Sequence, residues 1–261
     1  MREIEIVLKY FSHCPEKHEN RIMFDVGAHV GSSALPFAKK GWEIYCFEPE
    51  TSNYEELREN LKDYPKMHFI KMGVSDKNEE NVPFFVSDEH WGIHTLKPFH
   101  PSHRESENIS TTRLDTFISK NSIENIDFLK IDTEGADFLV LKSMDWDKDH
   151  PEVVVSEFMD SRTMPTYNYT FHDMVEYMAN CGYTCYISEY GPIIEYGRKN
   201  MLTKSSEFKG IYPYHNEACP EWGNLLFCDE SKLISFQKII KKFQFNRKIE
   251  QAMRKIYIFQ K

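Results

Sequence analysis

The chain is 261 residues long, 41% hydrophobic, and carries a formal net charge of −9. That length supplies one substantial core, and no Pro/Gly/Ser-rich seam divides it, so a single domain is expected. No basic-flanked apolar leader and no apolar run near the ~18 residues of a membrane span is present, which reads as a soluble, cytoplasmic protein with no membrane span.

Residues 1–21 are expected to form a helical segment ahead of one domain over 22–230. From residue 22 onward, short apolar runs bounded by turn signals alternate with helical patterns, as in a parallel sheet with helices on both faces. Strands are predicted at 22–26, 43–47, 67–71, 126–131, 152–157, 183–188 and 224–229. Ser52 and Glu55 form an S-x-x-E pattern that predicts a capping box for the helix ending near Leu61. Residues 78–110 fit neither period and read as an insertion, with a hairpin near Val82 to Val86 followed by a His-rich stretch. Residues 189–221 form a second irregular insertion. A basic helix is predicted over 231–261, striped by Ile239, Ile240, Phe243, Ile249, Met253 and Ile256.

That tail holds nine Lys/Arg against the single acid Glu250, leaving −17 on the remainder (23 basic, 40 acidic residues). A body this acidic repels a nucleic-acid backbone, which makes nucleic acid a poor partner and favours a small or neutral acceptor. The tail itself is expected to cover the acidic body or another subunit, leaving a homo-oligomer open, with an interfacial membrane helix as the alternative. Six cysteines, Cys14, Cys46, Cys181, Cys185, Cys219 and Cys228, form no C-x-x-C pair and read as reduced thiols.

The densest chemical signal is Met23-Phe24-Asp25-Val26-Gly27-Ala28-His29-Val30-Gly31, followed by Glu48 at the end of the second apolar run. A strand, a glycine-bearing turn and an acidic residue at this distance make a nucleotide-cofactor pocket. Because His29 stands where a dinucleotide fingerprint needs its second glycine, the pattern points away from NAD and toward S-adenosylmethionine. A second cluster, Lys130-Ile131-Asp132-Thr133-Glu134-Gly135, sets charged residues at alternate positions where a buried strand ends.

The stretches "FDVGAHVGSSALPFAKKG", "CFEPE", "GVSD", "TTRLDTF", "IDFLKIDTEGADFLVLKSM" and "EVVVSEF" together resemble the FkbM-type S-adenosylmethionine-dependent O-methyltransferases. The resemblance spans about residues 22 to 158 and returns at Trp222 to Phe227. Family members usually carry asparagine where this chain has His29. The resemblance implies that 22–230 is a class I methyltransferase domain of Rossmann-like, doubly wound α/β architecture, with seven strands of which the last is antiparallel. It also implies a cofactor site of Asp25, Gly27, Ala28, His29, Gly31, Glu48, Ser75, Asp76 and Asp132. There Asp25 would receive the turn amides or the methionine ammonium, Glu48 the ribose diol and Asp76 the adenine amine.

Methylating an alcohol requires the hydroxyl to lose its proton during attack, so a base or a metal is needed. Asp132 and Glu157 end consecutive predicted parallel strands and should both reach the crevice at the carboxyl edge. As hard oxygen ligands they could hold Mg²⁺. Alternatively Asp132 is the base itself, or His94 or His90 of the insertion is, while Asp132 and Glu134 as simple helix caps is a further reading. Lys130 shares a strand face with Asp132 and is either catalytic or ion-paired with Asp132 or Asp25. Trp91, His94, Tyr212, Tyr214 and Trp222 are candidates to line the crevice as sugar-stacking faces. The expected function is methyl transfer to a hydroxyl of a sugar in a glycan or glycosylated metabolite. The alternatives are an RNA ribose 2′-O-methyltransferase and a non-catalytic binding protein on the same fold.

Overall fold

The computed structural model describes residues 2–13, 20–90, 92–196, 204–205 and 207–259. Its first half runs α1 (Arg2–His13), β1 (Ile22–Val26), α2 (Leu35–Ala38), β2 (Glu43–Phe47), α3 (Thr51–Leu61), β3 (Met67–Ile70), β4 (Gly73–Val74), β5 (Glu79–Ser87) and β6 (His103–Thr112). Then come α4 (Leu114–Asn121), β7 (Ile126–Ile131), α5 (Asp137–Leu141), β8 (Val153–Phe158), α6 (Asp160–Tyr167), α7 (Phe171–Asn180) and β9 (Tyr183–Tyr190). β10 (Ile193–Glu195), β11 (Lys204–Ser205), β12 (Phe208–Pro213), β13 (Trp222–Asp229) and α8 (Leu233–Phe259) complete the chain.

The central strands are apolar on both sides because helices cover both faces of the sheet. Met23 of β1, Phe128 of β7 and Val155 of β8 belong to the cluster shared with α1 and α8. Their chain neighbours Phe24, Leu129 and Val154 belong to the opposite cluster, with Leu114, Ile118, Met174 and Met178 of α4 and α7. The period of two along each strand thus sorts side chains between two cores. On α1, Ile4, Ile6, Val7, Tyr10 and Phe11 are buried and meet Phe236, Ile239, Ile240 and Phe243 of α8 in the first of these clusters.

The sheet has the order β12-β9-β13-β8-β7-β1-β2-β3. β3, β2, β1, β7 and β8 pair in parallel, and β13 runs antiparallel between β8 and β9. This is the class I methyltransferase arrangement expected from the sequence, with one correction. An eighth strand, β12, pairs antiparallel with β9 from within the 189–221 stretch that was expected to be irregular. Tyr212 sits on that strand with its hydroxyl 2.7 Å from Glu189, and Trp222 donates to the carbonyl of Gly191, so the edge is held by side chains as well as by the ladder.

Two local expectations also change. The Ser52/Glu55 capping box does not form: Glu50 is the N-cap of α3, and its carboxylate accepts from the Asn53 amide at 2.6 Å. The 78–110 insertion is a long antiparallel hairpin of β5 and β6, which runs from Glu79 opposite Thr111 to Ser87 opposite His103 with register shifts between Glu79 and Val82 and between Pro83 and Phe85. β4 joins it in parallel to β6 as a separate three-stranded sheet. The hairpin carries its own apolar contact set, Phe84, Val86 and Ile109, which the broken periodicity of the sequence concealed.

One close approach sets the geometry of the carboxyl edge. Gly27 has φ of +74°, and a Cβ there would lie 1.8 Å from the carbonyl oxygen of Asp132. The turn after β1 therefore lies directly against the end of β7, and glycine is required by chain packing at this point. Gly27→Ala should lower unfolding free energy by more than about 3 kcal/mol, combining left-handed strain with a backbone collision. Denaturant titration measures this, and a loss under about 1 kcal/mol would show that the two loops separate easily.

Candidate active site

The carboxyl ends of β1, β2 and β7 and the loop after β3 surround a cavity of about 210 Å³. Its walls include Gly27, Ala28 and His29 after β1, Glu48 and Pro49 after β2, Gly73 and Val74, and Lys130, Asp132, Thr133 and Glu134 after β7. The hairpin supplies the roof through Phe84, Gly92, His94, Leu96 and Ile109. A parallel sheet directs its strand ends to one edge, and residues far apart in sequence meet there.

Glu48 is held by its own turn. One carboxylate oxygen accepts from the His29 amide at 2.8 Å and the other from the Glu50 amide at 3.0 Å. Burial nonetheless pushes its carboxyl up to about 7. Each oxygen retains a second acceptor direction for a ligand hydroxyl. His29 has φ of +51°, a region that histidine and asparagine tolerate better than most residues, which accounts for either residue at this turn. Burial lowers its imidazole to about 4, so it is neutral near physiological pH.

Asp25 and Lys130 face each other across the β1/β7 pair in register. Lys130 Nζ lies 3.2 Å from Asp25 Oδ1, 2.9 Å from the carbonyl oxygen of Gly27 and 3.5 Å from Asp132 Oδ2. The two flanking carboxylates hold the lysine above its ordinary value despite complete burial. Burial acts on Asp25 in the other direction and raises its carboxyl, with Lys130 offsetting part of that. Asp25 is fully buried and is not in the cavity wall. The turn amides it was expected to receive, those of Gly27 and Ala28, donate to the carbonyl of Phe47 instead.

Gly31 likewise faces protein, since a Cβ there would lie 2.7 Å from Leu61 and 2.8 Å from Leu57 of α3. Ser75 and Asp76 also stand outside the cavity wall; Ser75 donates to Asp76 at 3.2 Å, and the Asp76 carbonyl accepts from Arg113 at 2.8 Å. Of the aromatic candidates, Tyr212, Tyr214 and Trp222 are absent from this wall, and Tyr214 is hydrogen-bonded to His172 at 2.8 Å. Trp91 lies outside the described residues. His94 does line the cavity; its Nδ1 is buried with no hydrogen-bond partner among the described residues, and burial lowers its pKa.

Asp132 and Glu134 of the wall and Glu157, which was expected in the crevice but is not in the wall, bring carboxylate oxygens within 4.8 Å of one another. Between two of them stands Arg162 of α6, whose Nη1 is 2.6 Å from Glu134 and 2.7 Å from Glu157. Burial raises Glu157 to about 7 and raises Glu134 well above the carboxylate range, with the guanidinium acting against burial in both. Glu134 is also held in the left-handed region, at φ of +55°. The loop is tied not by Asp132 or Glu134 acting as caps but by Asp137, which accepts from the Gly135 amide at 3.1 Å and the Thr133 hydroxyl at 3.2 Å. Arg162 and Asp137 were both missed from sequence. The signal for Arg162 was indirect: three acids converging on one buried edge require a cation nearby.

The description "Methyltransferase FkbM domain" matches residues 25–185. The 2-O-methyltransferase NoeI of Sinorhizobium fredii is 26% identical over 133 residues, covering 44% of this chain and 54% of that protein. The hexuronic acid methyltransferase AglP of Haloferax volcanii is 25% identical over 130 residues, covering 49% of this chain and 52% of that one. The chain thus spans about half the length of the curated relatives it matches. Among solved structures, TehB of Haemophilus influenzae superposes with a TM-score of 0.45 at 13% identity, over 88% of this chain and 62% of that chain. With the matched region covering more than half of its length, the chain belongs to the FkbM methyltransferase family.

Proposed function

We propose that the protein transfers the methyl group of S-adenosylmethionine to a hydroxyl of a sugar, in a glycan or glycosylated metabolite. The observation that carries this reading is that Glu48 and Asp132 line one cavity at the carboxyl edge. Glu48 suits the ribose diol, because its two oxygens are aimed by backbone amides and each can accept once more. When bound, the cofactor supplies an electrophilic methyl group on a sulfonium. The sugar class is supported by the two relatives, one a 2-O-methyltransferase and the other a hexuronic acid methyltransferase. The acidic body argues against an RNA substrate. The free thiols Cys46, Cys181, Cys185, Cys219 and Cys228 suit the cytoplasm, and among the described residues no helix is long and apolar enough to cross a membrane.

Asp132 is the base in this reading. Its side chain is 28% exposed and lies in the cavity wall, so it can take the proton as the hydroxyl attacks. Lys130 orients it, and Asp25 holds Lys130 from behind. His94, whose Nδ1 has no hydrogen-bond partner among the described residues, provides a second acceptor from the roof. The carboxylates fit Mg²⁺ poorly, because the Arg162 guanidinium already sits between Glu134 and Glu157, hydrogen-bonded to Glu157 and ion-paired with Glu134. We therefore infer transfer without a metal, with Glu157 and Arg162 shaping the wall from behind Glu134.

Asp132→Asn should leave cofactor affinity nearly unchanged and cut turnover by about 10²-fold, while chelator leaves the wild type active. Release of S-adenosylhomocysteine over a panel of glycosides reads both. Full turnover in the Asn variant would move the base to His94, and loss of activity with chelator, restored by Mg²⁺, would reinstate the metal.

Cofactor affinity should depend on pH through Glu48. Hydroxyl donors favour its ionised form, so binding lowers a carboxyl that stands at about 7 without ligand. Affinity should therefore rise with pH up to that value and level off above it. Glu48→Gln should weaken binding by about 1.5–3 kcal/mol and abolish the pH dependence, as calorimetric titration would report. A variant that binds as tightly as the wild type with the same pH profile would remove Glu48 from the site.

Arg162→Met leaves two buried carboxylates without their cation and should cost about 3–5 kcal/mol of stability. Their carboxyls would rise further, and a raised carboxyl favours folding only while it is protonated. The deficit should thus be greatest above Glu157's value of about 7 and shrink on acidification below it. Denaturation at either side of that pH tests the sign, and a deficit independent of pH would show that packing, not charge, is what Arg162 supplies.

A further inference from the structure

α8 is apolar on two opposite sides. Phe236, Ile239, Ile240 and Phe243 are buried in the core shared with α1. On the far side Ile234 is 73% exposed, Phe245 63% and Ile249 43%, and among the described residues the only other large apolar side chain so exposed is Met164. At ~100° per residue, Ile234, Phe245 and Ile249 fall within roughly 60° of one another, opposite Phe243. Lys238, Lys241, Lys242 and Lys248 are exposed around them. Scattered exposed apolar residues are ordinary, but a row of three along one helix face marks a contact surface.

The interleaved lysines indicate what covers it. Protein–protein interface cores are depleted of lysine, because each ammonium must be desolvated. At a lipid surface the same side chains lay their stems along the apolar stripe and keep their heads among anionic groups. The acidic remainder of the chain does not prevent this approach. It lies across a helix ~10–12 Å wide, more than one screening length of ~8 Å at physiological salt. Nine basic residues against one acid over 231–261 give the segment the complementary charge.

We propose that this face of α8 docks on an anionic lipid surface. Ile234, Phe245 and Ile249 enter the headgroup and acyl boundary, and the four lysines meet the headgroups. The full chain should co-sediment with phosphatidylcholine vesicles that contain phosphatidylglycerol, far less with phosphatidylcholine alone, and less at high salt. The double variant Phe245→Glu with Ile249→Glu should bind about tenfold more weakly at unchanged melting temperature, since neither side chain contributes to the core. Lys238→Glu with Lys241→Glu should lose the preference for anionic vesicles while keeping the apolar stripe. Equal sedimentation with both vesicle types, or unchanged binding in both variants, overturns the assignment. So does a concentration-dependent dimer that Phe245→Glu breaks, without vesicle binding by the wild type, because the occupant is then a second copy.

Discussion

A buried lysine between two parallel strands holds the carboxyl edge of this sheet together. Lys130 stands in the middle of the fold, where an ammonium without partners would cost far more than any single contact returns. Its ammonium donates to the carbonyl of Gly27 and lies within ion-pair distance of Asp25 and Asp132. Each belongs to a different region of the site: the strand β1, the turn that follows it, and the loop after β7. The lysine therefore sets the distance between the two loops, and the bare Cα of Gly27 allows that distance to be as short as it is. Removing one partner of such a cluster leaves an unbalanced buried charge, so cavity geometry and fold stability are linked through the same three contacts.

Arg162 has the corresponding role at the next strand of the sheet. It comes from a helix outside the cavity and gathers Glu134 and Glu157 from the ends of β7 and β8. Around the cavity the acids Asp25, Asp132, Glu134, Asp137 and Glu157 outnumber the cations Lys130 and Arg162. Burial is the main cause of the raised carboxyl values at Asp25, Glu134, Asp137 and Glu157, and the neighbouring acids add to it.

The parallel half of the sheet was legible because its strands are buried on both faces and so appear as unbroken apolar runs. β1, β2 and β7 lie where the sequence placed them, and the Gly27 and Glu48 positions follow from the strand ends. Lys130 was also readable as an ion-paired residue, since a central strand cannot bury an ammonium alone. What was hidden is stabilised by partners distant in sequence. β12 is an edge strand with half its surface in solvent, and nothing in its composition separates it from a loop. The β5/β6 hairpin is solvated along much of its length, with buried apolar side chains only at Phe84, Val86 and Ile109. Glu50 rather than Ser52 caps α3 because the preceding turn is already fixed by Glu48, which receives the Glu50 amide.

The roof and the floor of the cavity have different origins. The floor comes from strand ends locked by the sheet, where a shift of one residue would displace every buried side chain along the strand. The roof comes from a hairpin whose ladder lies outside that sheet and whose contact with it runs through β4 and a few side chains, among them Thr95 donating to the Glu134 carbonyl at 3.1 Å. Residues such as His94 and Leu96 can change without disturbing the central register, whereas Glu48 and Asp132 cannot be moved independently of β2 and β7. The side chains carried by strand ends are therefore fixed relative to one another by the sheet, whereas those carried by the hairpin can be replaced without moving them.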